Sequence, residues 1–299
     1  MTRLLLGLMS FLLVASGAVA EPGPDRAAFA RVYRELATRL AASAFERPLV
    51  IEAKVDKKRV EGQVHSILEH PFEVLEAVLT DPAALCDLLA LHFNVKSCHR
   101  GDAPEAGSAW IPLRIETARK HYVAPRRRNR LTYRLDVSER GSGLARALLA
   151  TSRGPLGVRD FRIEIRGIAI DDDRSFVELR YSYAPGLLAR AATRVFLATL
   201  GRNKVGFTVT GTTPEGQPIY VTGPQGAVER NALRYHLALV ACLETHDVPE
   251  STRFEQRIAR WFDLTEQHSL QLWEMSRDDY LAIKRRERRD DESQAERGP

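Results

Sequence analysis

What this chain of 299 residues lacks narrows its class before any motif is weighed. Beyond residue 20 no apolar run approaches the length of a membrane span, which removes a bundle of spanning helices. Charge of one sign is not in large excess. The net charge of +5 is mild and dispersed, a poor footprint for a nucleic-acid partner. No G-x-S-x-G, H-E-x-x-H or G-x-x-x-x-G-K occurs, so no nucleophile elbow, zinc-peptidase helix or phosphate-cradling loop announces an enzyme or a cofactor. Cysteine is scarce, and none of the three lies near residue 20, which argues against a lipidated terminus.

What is present begins with a leader. MTRLLLGLMSFLLVASGAVA has Arg3 in a short positive start and an apolar run broken by Ser10, Ser16 and Gly17. It closes on the small residues Ala18-Val19-Ala20 before Glu21. A cleaved signal peptide over 1–20 and a periplasmic destination are expected, with an uncleaved anchor as the alternative. Loss of Arg3 takes the charge from +5 to +4. The remainder suits one core-sized domain with appendages: an N-terminal helix within 21–46, a main domain over 47–248, a helical arm over 249–287 and a disordered tail over 288–299. In an oxidising compartment Cys86 and Cys98, twelve residues apart, either staple a helix end to the next strand or remain two buried thiols. Cys242 sits in an apolar stretch and reads as a small core residue.

Residues 24–44 form an amphipathic helix with Phe29, Val32, Tyr33, Leu36 and Leu40 on one face, expected to pack on the outside of the main domain. Alternation at Leu49, Ile51, Ala53 and Val55, then at Val60, Gly62 and Val64, predicts two strands around Asp56-Lys57-Lys58. Pro71 suits the first turn of a helix that turns Phe72, Leu75, Val78 and Leu79 inward, and Asp81-Pro82 caps a second short helix ending near His92. Strands follow over NVKSCHR, SAWIPLRIETARKHYV and NRLTYRLDVSE. LARALLATS fits a strand or a short helix. FRIEIRGIAI and FVELRYSYA flank a turn at 171–174, and a helix over 186–200 stops at Gly201. KVGFTVTG and PIYVTG pair through Thr213-Pro214-Glu215-Gly216. In Ala227–His246, Val228, Ala232 and Tyr235 share a face while Glu229, Arg230 and Arg234 are assigned to water; the following LALVAC has no charge on any face and requires enclosure by protein. Residues 251–287 read as charged helix with Phe254, Ile258, Trp261 and Phe262 on one side, and DDESQAERGP reads as disordered.

Strands that must enclose a helix need curvature, so the expected fold is α+β: a curved antiparallel sheet wrapped around a long C-terminal-side helix, with extra N- and C-terminal helices. The segment VHSILEHPFEVLEAVLTDPAAL is a strand entering a proline-started helix that ends in Thr-Asp-Pro. It resembles the corresponding segment of the START-like, Bet v 1-type helix-grip superfamily (SRPBCC), and the element order from Val60 to His246 is similar. The helix over 186–200 and the arm after the long helix depart from that pattern. The resemblance implies a cavity between sheet and helix that holds lipids, sterols or other apolar molecules, and in some members cyclisation or hydrolysis. Fold does not choose between these.

Such a cavity is lined by alternate strand positions and the inner side of the long helix. The candidates are Trp110, Tyr133, Phe161, Tyr181, Tyr183, Phe207, Tyr220 and Tyr235, either gripping a ligand with their hydroxyls or simply filling a core. Arg126, Arg127, Arg128 and Arg130 form a basic cluster that either meets an anionic membrane surface or lies in a solvated loop, and Lys284 to Arg289 invites the same comparison. Cys86, His92, Cys98 and His99 match no zinc spacing, and no metal is expected. The leading expectation is a periplasmic carrier for a hydrophobic or amphipathic ligand. The alternatives are a cyclase or hydrolase, for which His65, His121 and His236 are loose candidates, and an envelope scaffold docking a partner through its arm.

Overall fold

Residues 24–102, 110–138, 140–154, 158–186 and 203–296 are described by the computed structural model of the chain. In order they form α1 (Pro24–Ala41), β1 (Leu49–Val55), β2 (Val60–Leu68), α2 (Phe72–Thr80), α3 (Pro82–Leu91), β3 (Val95–Arg100) and β4 (Ile111–Thr117). A 3-10 turn (Pro125–Arg127) leads to β5 (Asn129–Val137), β6 (Ala145–Arg153), β7 (Arg159–Ala169) and β8 (Ser175–Ala184). The hairpin β9 (Val209–Thr212) and β10 (Pro218–Tyr220) precedes α4 (Gly223–Glu244), α5 (Glu250–Glu266), α6 (Ser269–Leu272) and α7 (Arg277–Glu296). The first eight strands make one antiparallel sheet in the order β1-β2-β8-β7-β6-β5-β4-β3, curved around α4, and the last two pair separately. This is the α+β helix-grip architecture that the alternation pattern and LALVAC demand. Of the helix expected over 186–200, residues 187–200 lie outside the described residues.

Register carries one apolar face across the sheet: Val64 stands beside Leu179, Leu179 beside Ile165, Ile163 beside Leu149 and Leu149 beside Leu135. Helices seat on that face, and glycine is needed where they come closest. A Cβ on Gly62 would stand 3.0 Å from the Val228 carbonyl oxygen of α4, and one on Gly167 would collide with Leu75 of α2. Asp81 Oδ1 accepts from the Ala83 backbone N–H (2.9 Å), with Pro82 in the first turn of α3, as a helix start requires. LARALLATS resolves as strand β6, paired on both sides.

Every residue from Leu237 to Leu243 is at most 3 % exposed. The first half of α4 departs from expectation, because Glu229, Arg230 and Arg234 are buried rather than wet. Glu229 Oε2 accepts from the backbone N–H groups of Phe207 (2.6 Å) and Thr208 (3.1 Å), and Arg230 donates to the Val205 carbonyl (2.9 Å). Arg234 donates to the Leu272 carbonyl (3.1 Å) and to Glu274 (3.0 Å). Segments before and after the helix cover its polar side, so the charges serve internal partners.

The opposite face of the sheet carries α1, whose Phe29 and Tyr33 rings each stand 5.1 Å from Phe176 of β8. The arm packs on its own domain. Ile258, Trp261, Leu264 and Tyr280 are buried; Trp261 Nε1 donates to the Arg234 carbonyl (3.1 Å) and the Tyr280 hydroxyl to that of Leu91 (2.9 Å). Helix α7 continues to Glu296, through residues whose composition suggests disorder, because Asp290 binds Arg128 and Tyr122 and Asp291 binds His99. No helix among the described residues is long and apolar enough to cross a membrane.

Candidate ligand site

Five of the eight aromatic candidates come together on the inner face. Tyr133 of β5 meets Phe161 of β7 edge-on (5.7 Å between ring centres), Phe161 meets Tyr181 of β8 (5.3 Å), and Tyr181 meets both Tyr183 (5.9 Å) and Tyr235 of α4 (5.8 Å). Cross-strand pairing puts Tyr181 opposite Gly62 and Ile163, which fixes its ring on the side of α4. Burial raises the Tyr133 phenol to about 12 and pushes those of Tyr181, Tyr183 and Tyr235 up as well; neighbouring phenols add to the shift at Tyr181, and Tyr133 adds to that at Tyr235. None of these hydroxyls makes a hydrogen bond to another described residue.

The remaining three candidates stand apart. Trp110 precedes β4 and makes no ring contact with the cluster among the described residues. Phe207 packs on Phe45 (5.7 Å) and His268 (5.8 Å). Tyr220 lies on the separate β9–β10 hairpin, opposite Val209.

Composition and alternation did not single out His92, at the end of α3, which extends the cluster. Its ring stacks on Tyr235 (4.7 Å, 15° between planes) and touches Phe93 (4.6 Å). Burial, then the Arg234 and Lys284 charges, push its pKa well below the usual value, so the imidazole is neutral. Nδ1 accepts from the Asn94 backbone N–H (3.2 Å), which leaves the proton on Nε2. That N–H is a buried donor without an acceptor among the described residues; the Asn231 amide approaches the ring without reaching hydrogen-bond geometry. The site therefore presents four phenols and one buried imidazole N–H that lacks a partner among the described residues, set in an apolar wall. In the sequence His92 stands out only at a helix end and in a Cys/His set that matches no metal spacing, and neither marks it as part of an aromatic site.

Between α3 and the sheet is a cavity of about 20 Å³, lined by Leu85, Leu88 and Leu89 from α3 and Leu113, Leu135 and Ile163 among the strand residues. That is room for roughly one water molecule, and the wall is aliphatic.

Of the three histidines considered for catalysis, His65 pairs with Glu178 (3.0 Å) on the face under α1, away from the aromatic cluster. Burial would raise the Glu178 carboxyl, but His65 with the Arg166 and Arg180 guanidinium groups hold it at about 2. His236 is sealed inside, brought down to about 3 by burial, and His121 is exposed. Cys86 and Cys98 form a disulfide joining α3 to β3, while Cys242 is free and buried. In the basic cluster Arg126 and Arg127 are exposed, but Arg128 is 6 % exposed and bridges Asp290 (2.6 Å) and Glu116 (3.3 Å). It is an internal tie, unavailable to an external surface. Arg130 is exposed and pairs with Glu116 (2.7 Å).

No protein-family model and no curated protein matches the chain. Solved structures to which it is similar include human STARD10 (10 % identity over 57 % of this chain and 76 % of that one, TM-score 0.37). A Streptomyces aromatase/cyclase (13 %, 48 % and 86 %, TM-score 0.34) and a norcoclaurine synthase point mutant from Thalictrum flavum (12 %, 49 % and 90 %, TM-score 0.33) are others. The helix-grip fold assigned to the chain stands on its strand order and on the seating of α4.

Proposed function

We propose that the protein is an exported carrier that holds a hydrophobic or amphipathic ligand between sheet and α4 in the periplasm. The observation that carries this reading is the gathering of the Tyr133, Tyr181, Tyr183 and Tyr235 rings around His92, whose Nε2 is buried without a hydrogen-bond partner among the described residues, on one apolar face. A buried donor without a partner is expensive unless a guest supplies one, and an oxygen-bearing head, which the neighbouring phenols could also hydrogen-bond, would do so. The ligand's apolar body would enter the aliphatic space under α3. At about 20 Å³ that space is far below the several hundred Å³ of a ligand site, so loading requires α2 and α3 to move away from the sheet. The disulfide and the leader pattern both suit an oxidising compartment.

Organic extraction of the protein purified from the envelope, followed by mass spectrometry, should recover an apolar molecule bearing a carbonyl, carboxyl or hydroxyl oxygen. Tyr181→Phe removes one hydroxyl and should weaken binding about ten-fold while leaving thermal stability nearly unchanged. A protein that yields no such molecule, and whose melting temperature no fatty acid, sterol or aromatic polyketide raises, would overturn the reading. The enzyme alternative has no support from a histidine–carboxylate pair on the inner face among the described residues.

A further inference from the structure

Two arginine-rich stretches more than 150 residues apart in sequence form one surface. Asp290 of α7 accepts from Arg128 (2.6 Å) and from the Tyr122 hydroxyl (3.0 Å), and the Arg286 guanidinium lies 3.7 Å over the Tyr122 ring. The acidic groups at this junction are consumed internally: Asp290 as stated, Glu116 by Arg128 and Arg130, Glu274 by Lys120, Lys204 and Arg234. Arg119, Arg126, Arg127, Arg286 and Arg289 are exposed and form no ion pair with a described residue. The result is a platform of guanidinium groups that form no ion pair among the described residues. Lys120, next in the chain to Arg119, is tied to Glu274 (2.8 Å); Trp273, which precedes Glu274, is 56 % exposed, and Leu270 of the short helix α6 is 69 % exposed.

We propose that this platform docks the protein on a membrane rich in anionic phospholipid, with Arg126, Arg127, Arg286 and Arg289 on phosphate-bearing headgroups and Trp273 and Leu270 entering the interface. Arginine matches phosphate through paired N–H donors, and exposed tryptophan beside basic residues suits the headgroup boundary. An acidic protein or polymer would use the arginines but would leave the exposed tryptophan and leucine without a role, which is why the lipid surface is favoured. The inference is independent of what the inner face binds.

The test uses the chain from Glu21 onward, which keeps every described element and removes an apolar leader that would itself bind lipid. It should co-sediment with vesicles of phosphatidylglycerol mixed with phosphatidylcholine, not with phosphatidylcholine alone, and salt should weaken it. Arg126→Glu with Arg127→Glu, at exposed positions without internal partners, should lower binding by at least roughly 30-fold with the melting temperature unchanged. Trp273→Ala should lower it several-fold at every salt concentration. Charge reversal without effect would overturn the proposal. So would soluble poly-glutamate binding as tightly as the vesicles with Trp273→Ala neutral, an outcome that would assign the platform to an acidic polymer.

Discussion

Glu287 of α7 shares one carboxylate between two buried ammonium groups, Lys96 of β3 (2.7 Å) and Lys284 (2.9 Å). Lys284 also caps the His92 (3.2 Å) and Val95 (2.8 Å) carbonyls, and Lys96 that of Phe93 (2.7 Å). Two cations on one anion make the members unequal. Glu287→Gln leaves both ammonium groups without a counter-charge and should destabilise by about 3–5 kcal/mol in chemical denaturation. Lys96→Met leaves a matched Lys284–Glu287 pair and should be neutral or stabilising. Burial, reinforced by Lys284, lowers Lys96 to about 8. A lysine whose folded pKa lies below its unfolded value costs stability while protonated, and that cost fades as pH rises from 8 towards 10.5. Any advantage of Lys96→Met at neutral pH, roughly 3 kcal/mol at most, should therefore shrink over that interval. Equal costs for the two variants would show that the three groups do not act as a unit. None of this is legible in the sequence, where Lys96 looks like a solvated strand residue and Lys284 like part of a charge run.

At the scale of elements, the strands of the sheet were readable because alternation needs only neighbours in sequence: Leu131, Tyr133, Leu135 and Val137 name the inner face of β5 by themselves. LALVAC was readable for the same reason. What local pattern could not settle was anything decided by a distant partner. Ala and Leu in LARALLATS favour helix intrinsically, and only pairing with β5 and β7 makes them a strand. Glu229 and Arg234 look wet until the segments around Phe207 and Glu274 cover them. Five of eight aromatic candidates converged, since strand parity places a side chain on a face but not at a position along it. The staple between α3 and β3 is an element-scale device. Opening it with Cys86→Ser and Cys98→Ser should cost about 3 kcal/mol, seen as a melting temperature lower by roughly 6–10 °C and as loss of sensitivity to reductant. Indifference to reductant in the parent protein would contradict this.

For the whole molecule, the order of elements from Val60 to His246 was enough to infer a sheet wrapped on a helix, whereas the role of the arm was not. The sequence left open whether its apolar side meets its own domain or another protein, and burial of Trp261, Leu264 and Tyr280 against α4 and α3 answers that. Deleting 251–299 should consequently yield an aggregated or unfolded product by circular dichroism and size exclusion; a monodisperse, cooperatively melting fragment would refute it. The sheet ends at β3, whose side is braced by α7 through the lysines of the charge triad. That geometry has a kinetic consequence. Helix α7 follows every strand of the sheet along the chain, so a nascent chain carries an unprotected strand border until that helix is made, and premature termination near residue 276 would release a polypeptide primed for intermolecular strand pairing.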